Sequence, residues 1–233
     1  MITSGWITQL FCHVDDFCQQ FEPEWEKILI PPRGGRKKVR SLSLAEVITI
    51  IILFHFSGYR TFKHYYQRQV LIYWRAYVPG LPSYSWFVRM AQSAVFPMFV
   101  YLHASLGKPT GMGYIDSTVL TVCHIARASS HKVFKKMARK GKTTTGWFFG
   151  FKLHVVINHK AEITGFMLTS GNTDDRRPVR ELTKELFGQL FADRSYVGKQ
   201  LFRDLFERGL QLIAKSRKNM KSCLINLVDK ALL

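Results

Sequence analysis

Apolar residues recur every three or four positions at the start of the chain. Phe11, Val14, Phe17 and Phe21 make one stripe, which predicts a helix within residues 1–30. Pro31-Pro32 then breaks it. Ser43-Leu44-Ala45-Glu46 is a capping box ahead of the apolar run from Val47 to Phe54. The helix it opens is expected to reach about Ser57-Gly58, with Gly58 as the stop. Arg60 to Arg75 reads as a further helix, with Tyr65, Tyr66 and Trp74 among its cations. Pro79-Gly80-Leu81-Pro82 is a turn cluster. Ser83 to about Leu106 is again helical, with Trp86, Phe87, Met90, Val95 and Phe99 as its apolar side.

The pattern changes at Gly107. Residues 114–118 read as a strand, and Val119 to Thr145 is polar and basic. Phe149 to Asn158 and Glu162 to Thr169 read as a β-hairpin around His159-Lys160-Ala161. Asp174 and Asp175 are placed to cap a helix with Pro178 in its first turn, running to about Phe187 and stopped by Gly188. A strand to Asp193, a helix from about Lys199 to Arg208, and a strand from Leu210 to Lys215 complete the order. The fold class is α/β: a mixed open sheet preceded by an all-helical N-terminal region. The expected division is 1–106 helical and 107–233 α/β. The helical part fits a helix-turn-helix unit or an ordinary bundle equally well.

Charge narrows the partners. The chain carries 34 Lys and Arg against 16 Asp and Glu, a net charge of +18. That favours a polyanion, nucleic acid first and an anionic membrane surface second. A ribosomal or merely soluble basic protein has the same composition. Asp15 to Glu26 holds five acids and no Lys or Arg, whereas Arg33, Arg36, Lys37, Lys38 and Arg40 crowd a glycine-containing stretch. The latter reads as a linker able to lie on a phosphate backbone, or as a solvated loop. Lys132, Lys135 and Lys136, with Arg139, Lys140 and Lys142, form a second basic group, and Lys215, Arg217, Lys218 and Lys221 a third. The Val47–Phe54 run is far shorter than the roughly 20 residues a bilayer span needs, so no membrane partner is expected. No signal peptide is evident, and the sparse cysteines Cys12, Cys18, Cys123 and Cys223 lack any Cys-x-x-Cys pair. A reducing, cytoplasmic setting follows, without a zinc ribbon.

Two apolar segments each end in an aspartate: Tyr114-Ile115-Asp116 and Leu190-Phe191-Ala192-Asp193. A strand-end carboxylate lies at the rim of a sheet, where ligands bind in open α/β folds. Two of them in so basic a chain suggest a metal site acting on a polyanion, for which a third acid is usually wanted. On the Phe149–Asn158 strand, alternation puts Phe151, Leu153, Val155 and Ile157 on one face. Lys152 and His154 share the other, as phosphate contacts or as a plain polar face. Trp147-Phe148-Phe149 either stack on an extruded base or pack in a core.

Four segments in order resemble DDE transposases of bacterial insertion sequences. Tyr114-Ile115-Asp116-Ser117-Thr118 looks like the first-aspartate motif, and Gly146-Trp147-Phe148-Phe149-Gly150-Phe151-Lys152-Leu153-His154 like the segment after it. Ser170-Gly171-Asn172-Thr173-Asp174-Asp175-Arg176 is similar to the turn after the hairpin, and Phe191-Ala192-Asp193-Arg194-Ser195-Tyr196 sits where the second aspartate motif belongs. The resemblance covers roughly residues 40–233. It implies a ribonuclease H-like fold behind a helical DNA-binding region. It implies two divalent ions, Mg²⁺ or alternatively Mn²⁺, held by Asp, Asp and Glu, with Asp116 and Asp193 as the aspartates. Its activity would be cutting DNA at transposon ends and joining them to target DNA, by a homo-oligomer on DNA. The family glutamate lies on a helix after the last strand, and Asp204, Glu207 and Asp229 are the acids that follow Asp193 here. The resemblance therefore implies a chain truncated or split before its third acid. A catalytically inactive DNA-binding fragment and a structural nucleic-acid-binding protein are the competing readings. Ser195 stands where the family has glycine, and serine would be strained there if the position needs positive φ.

Overall fold

The computed structural model describes residues 4–28 and 41–214. The basic stretch Arg33, Arg36, Lys37, Lys38 and Arg40 lies outside the described residues. So do Lys215, Arg217, Lys218, Lys221, Cys223 and Asp229. The chain divides into two compact units, Met1–Ser105 and Leu106–Leu233.

The first unit is helical. The described part starts with α1 (Ser4–Ile28), which turns Val14 and Cys18 into a core. In α2 (Leu44–Phe54) the capping box forms as the sequence dictates: Ser43 Oγ accepts the Glu46 N–H, and Glu46 accepts the Ser43 N–H. Helix α2 ends at Phe54, and Gly58 takes positive φ after it. The expected Arg60–Arg75 helix is three pieces: α3 (Phe62–Tyr65), a π-helical turn over Tyr66–Val70, and α4 (Leu71–Tyr73). Fully buried Tyr65, Tyr66 and Val70 anchor that irregular turn, and Tyr66 Oη donates to the Pro82 carbonyl at 2.8 Å.

The expected Ser83–Leu106 helix is two, α5 (Tyr84–Ser93) and α6 (Val95–Ala104), broken at Ala94. Pro97 is the cause. It has no N–H to donate and its ring collides with the preceding turn, so it is tolerated only near a helix start. The break also rotates the apolar side. Phe87 is fully buried, while Trp86, Val95 and Phe99 are exposed.

The second unit is a mixed sheet. Its strands are β1 (Met112–Cys123), β2 (Arg139–Thr143), β3 (Gly146–Asn158), β4 (Ile163–Ser170), β5 (Gly188–Ala192) and β6 (Leu210–Ala214). The path runs β2-β3-β1-β5-β6, with β4 also on β3. Strand β3 is antiparallel to its neighbours, and β1, β5 and β6 are mutually parallel. The observed architecture is the α/β class expected, an all-helical region followed by a mixed sheet. Two details differ. Strand β1 runs on to Cys123 because β3 is long enough to pair with it throughout. The basic segment also contains a strand, β2, whose lysines alternate across from Phe149 and Trp147.

Ile115, Val156, Leu190, Ala192, Leu210 and Leu212 form one face of this sheet's core. Against it pack Val179 of α7 (Val179–Leu182) and Leu201 and Leu205 of α8 (Lys199–Phe206). Leu201 and Leu205 are one turn apart, so α8 presents both to the sheet. Helix α7 is a single turn rather than a helix to Phe187. Thr183 Oγ1 donates back to the Val179 carbonyl at 2.7 Å, and Arg208 donates to the Arg180 and Thr183 carbonyls at 3.1 and 3.0 Å. The helix end is thus satisfied without further turns. Pro178, not Asp174 or Asp175, occupies the N-cap position.

Gly188 opens β5 at φ +82°, and a Cβ there would fall 2.2 Å from the Gly111 carbonyl oxygen. Both the backbone conformation and the close β1–β5 approach demand glycine. Gly188→Ala should destabilise the protein by at least about 2 kcal/mol in denaturant titration. Gly5→Ala, in open space on α1, should cost nothing.

Candidate active site

The parallel register of β1 and β5 ends with Tyr114 opposite Phe191 and Ile115 opposite Ala192. The next residues on the two strands are Asp116 and Asp193. Strand β5 stops there, and the chain turns into a 3₁₀ segment, Arg194–Tyr196. Strand β1 continues, still paired with β3. Tyr114 and Phe191 stack at 5.2 Å between ring centres on one face of the sheet. Asp116 and Asp193, each two residues further on, belong to that same face. Neighbouring strands run about 4.8 Å apart. Both aspartates are exposed. The Ser117 N–H donates to Asp116 Oδ1 at 2.7 Å, fixing that carboxylate.

A polar network lies behind this rim. Asp175 Oδ1 accepts from Lys152 Nζ at 2.9 Å and from Ser117 Oγ at 3.2 Å. Lys152 Nζ also donates to the Thr173 carbonyl at 3.0 Å. The pair is largely buried, with side chains 12% and 18% exposed. Three elements are tied together here: β1, β3 and the loop after β4. Tyr196, in the 3₁₀ segment that follows Asp193, is fully buried. Burial raises the Tyr196 pKa well above its usual value, and Asp175, Asp116 and Asp193 raise it further, against a lowering by Ser117. All three carboxylates therefore bear on one buried phenol.

The residues expected at the site separate into three groups. Asp116 and Asp193 come together. Lys152 and His154 do not serve as outward phosphate contacts. Lys152 is held by Asp175, and His154 is fully buried, with Nε2 2.9 Å from Thr169 Oγ1. The reason is register: Ser117 lies opposite His154 and Val119 opposite Lys152, so this face is roofed rather than open. Lys132, Lys135 and Lys136 are exposed on the segment between β1 and β2.

Asp174 makes a surface pair with Arg176, whose guanidinium holds the carboxyl near pKa 2. Asp204 is bound by Arg180 and Gln200 rather than standing free. Ser195 is unstrained, since among the described residues Ala161 alone combines a side chain with positive φ. Ser117, Asp175 and Tyr196 were not read from the sequence as members of this site. Only the second acid of Asp174-Asp175 gave a signal, and it read as a cap. Among the described residues no group of three His, Cys, Asp or Glu side chains converges as a metal cage.

A family model described as a transposase DDE domain matches residues 106–233. The chain belongs to the transposase DDE family. The match covers the whole sheet unit, both aspartates included. A search of solved structures finds the cryo-EM structure of the piggyBac transposase synaptic complex with hairpin DNA. Its TM-score is 0.48 at 11% identity, covering 91% of this chain and 49% of that one. The chain thus spans about half the length of that transposase. No curated protein matches. No helix among the described residues is long and apolar enough to cross a membrane.

Two outcomes test this description of the DDE unit. Lys152→Met leaves Asp175 largely buried without its cation and should cost about 2 kcal/mol in denaturant titration. Adding Asp175→Asn should recover part of the loss, by the logic of a double-mutant cycle. The second test concerns pH. Burial lowers the His154 pKa, opposed by Asp175 and reinforced by Lys152. The unfolded chain protonates this imidazole near pH 6.5, and the folded chain only at lower pH. Its stabilising contribution is therefore complete above about pH 6.5 and is lost as pH falls through the folded value. His154→Gln should flatten the fall of melting temperature below pH 6.5.

Proposed function

We propose that this chain is a metal-dependent DNA transposase of insertion-sequence type, in which Asp116 and Asp193 are two of the metal ligands. The observation that supports this most is the register. Two exposed carboxylates follow directly on the last paired residues of adjacent parallel strands, at one rim and on one face. Hard carboxylate oxygens suit Mg²⁺, which binds through a few carboxylates and keeps water and phosphate oxygens as its other ligands. The donor set fits as far as it goes. Among the described residues no third acid converges with Asp116 and Asp193. When bound, divalent ions would activate the attacking water or 3′-hydroxyl and stabilise the leaving oxygen.

The protein's own contribution is placement. The β1–β5 ladder ends just before Asp116 and Asp193, the Ser117 N–H orients one Asp116 oxygen, and the Lys152–Asp175 pair braces Ser117 from behind. The exposed lysines 132, 135 and 136 would carry the DNA backbone near this rim. DNA transposon ends and target DNA are the substrates of this reading.

An inactive DNA-binding fragment is the second reading. It is favoured by one observation, the lack of a third converging acid among the described residues. A cleavage assay on DNA carrying the element's own ends, with Mg²⁺ or Mn²⁺, separates the two. Metal-dependent cutting should fall on the order of 100-fold or more in Asp116→Asn and in Asp193→Asn, with DNA affinity retained. Cutting that survives both substitutions overturns the assignment. Salt-dependent DNA binding with no cutting under either metal favours the fragment.

Replacing Lys132, Lys135 and Lys136 together by alanine should reduce the slope of log affinity against log salt by about 2–3. An unchanged slope would remove that segment from the DNA contact.

A further inference from the structure

We propose that the β2–β3 hairpin is a contact for an unpaired DNA base, with Trp147 as its stacking platform and Lys140 and Lys142 beside the flanking phosphates. The inference rests on the DNA reading above and names a feature of the DNA that reading leaves open.

Trp147 stands apart from the aromatic residues next to it. Phe148 and Phe149 are 7% and 6% exposed and belong to the interior, whereas Trp147 is 61% exposed. Core packing explains the first two and not the third. The indole is nevertheless held in place. It lies directly across from Lys142 in the ladder, with Lys142 Nζ 5.7 Å from the ring centre. That cation–π contact orients the ring and leaves most of it open. The turn is built as well. Thr143 Oγ1 lies 2.8 Å from Thr145 Oγ1 and donates to the Gly146 carbonyl at 3.2 Å, while Gly146 takes φ +133°.

The surroundings select the partner. No Asp or Glu occurs between Asp116 and Glu162, and Arg127, Lys132, Lys135, Lys136, Arg139, Lys140 and Lys142 all lie there. The loop that carries lysines 132, 135 and 136 is fastened over the sheet. Phe134 meets Phe151 edge-on at 5.6 Å, and Ala138 is buried in the same cluster as Phe149. By alternation along β3, Trp147, Phe149, Phe151 and Val155 share a face, and Val155 is paired with Asp116. Exposed cations and an exposed indole thus occupy the face that ends at the rim aspartates.

Lysines alone suffice for a paired duplex, which presents phosphates and base edges. An indole gains by stacking only on a base that has left the helix or belongs to a single strand. The eight-residue step from Val155 to Trp147 along β3 spans at most roughly 26 Å. At about 3.4 Å per nucleotide, the stacked base lies within about eight nucleotides of a phosphate at the rim.

The test uses the full chain and three DNAs of one sequence: a paired duplex, the same duplex with one base opposite an abasic site, and the single strand. The unpaired base is moved through the eight positions next to the expected cut. At one position the wild type should bind the abasic-site duplex about tenfold more tightly than the paired duplex. Preference for the single strand alone would place the platform on a separated strand, and preference for both on an extruded base; each supports the proposal. Trp147→Ala should erase the preference and change paired-duplex affinity by less than about twofold. Trp147→Phe should keep part of the preference, which separates lost stacking from lost folding. Equal affinity of the wild type for all three DNAs overturns the proposal while leaving the DNA reading intact. So does a preference that survives Trp147→Ala, or an equal loss on paired and unpaired DNA. Failure to bind any DNA would instead remove the reading on which the proposal rests.

Discussion

The parallel ladder between β1 and β5 is the constraint on which the rest depends. Parallel strands point their C-terminal ends the same way, so residues that follow the last bonded pair must emerge at one edge. With Ile115 opposite Ala192, the next residues can only be neighbours. A slip of one residue would send one carboxylate to the opposite face. The register is fixed from both faces. Ile115, Leu190 and Ala192 are buried against α7 and α8, and Tyr114 and Phe191 stack on the other side. Gly188 permits the approach of the two backbones at the start of β5. Core packing and carboxylate placement are therefore one problem with one solution.

The unit separates its charges by function. Asp175 and Lys152 are withdrawn from solvent and spend their charge on each other, on Ser117 and on the Thr173 carbonyl. Such a pair contributes little net stability, because desolvation offsets the attraction. Its value is geometric. It joins β1, just past Asp116, to β3 and to the loop before α7, stiffening the strand from which the rim carboxylate projects.

Local chemistry was legible in the sequence, and cross-chain register was not. The capping box at Ser43 and the turn around Ala161 each needed only neighbouring residues, and each appears where it was read. The break at Ala94 was also readable from Pro97, but the apolar run of α5 and α6 masked it. Strand β2 was hidden because its side chains are cationic and its order comes from pairing with β3. Asp193 was visible as a strand end, whereas Asp116 lies inside β1, which runs on to Cys123. That Lys152 and His154 face inward was not visible, since alternation says which residues share a face and not which face is covered. Asp175 had the same appearance as Asp174, yet one holds a buried lysine and the other a surface arginine.

On the proposed function, this arrangement would separate holding DNA from cutting it. The face of the sheet that bears the rim is cationic along the hairpin and the 128–138 loop, which draws phosphates in. The rim itself ends in two carboxylates, which repel them. A phosphodiester held by Lys132, Lys135, Lys136 and Lys142 is therefore not stable against Asp116 and Asp193 unless positive charge stands between them. Among the described residues neither carboxylate has a Lys or Arg partner to supply it; Lys152 is already committed to Asp175. On the proposed reading, a divalent cation would offset that repulsion. Binding through the lysines needs no metal and should weaken with salt. Chemistry at the rim, as proposed, would need a divalent cation held by Asp116 and Asp193 to bring phosphate and carboxylate together.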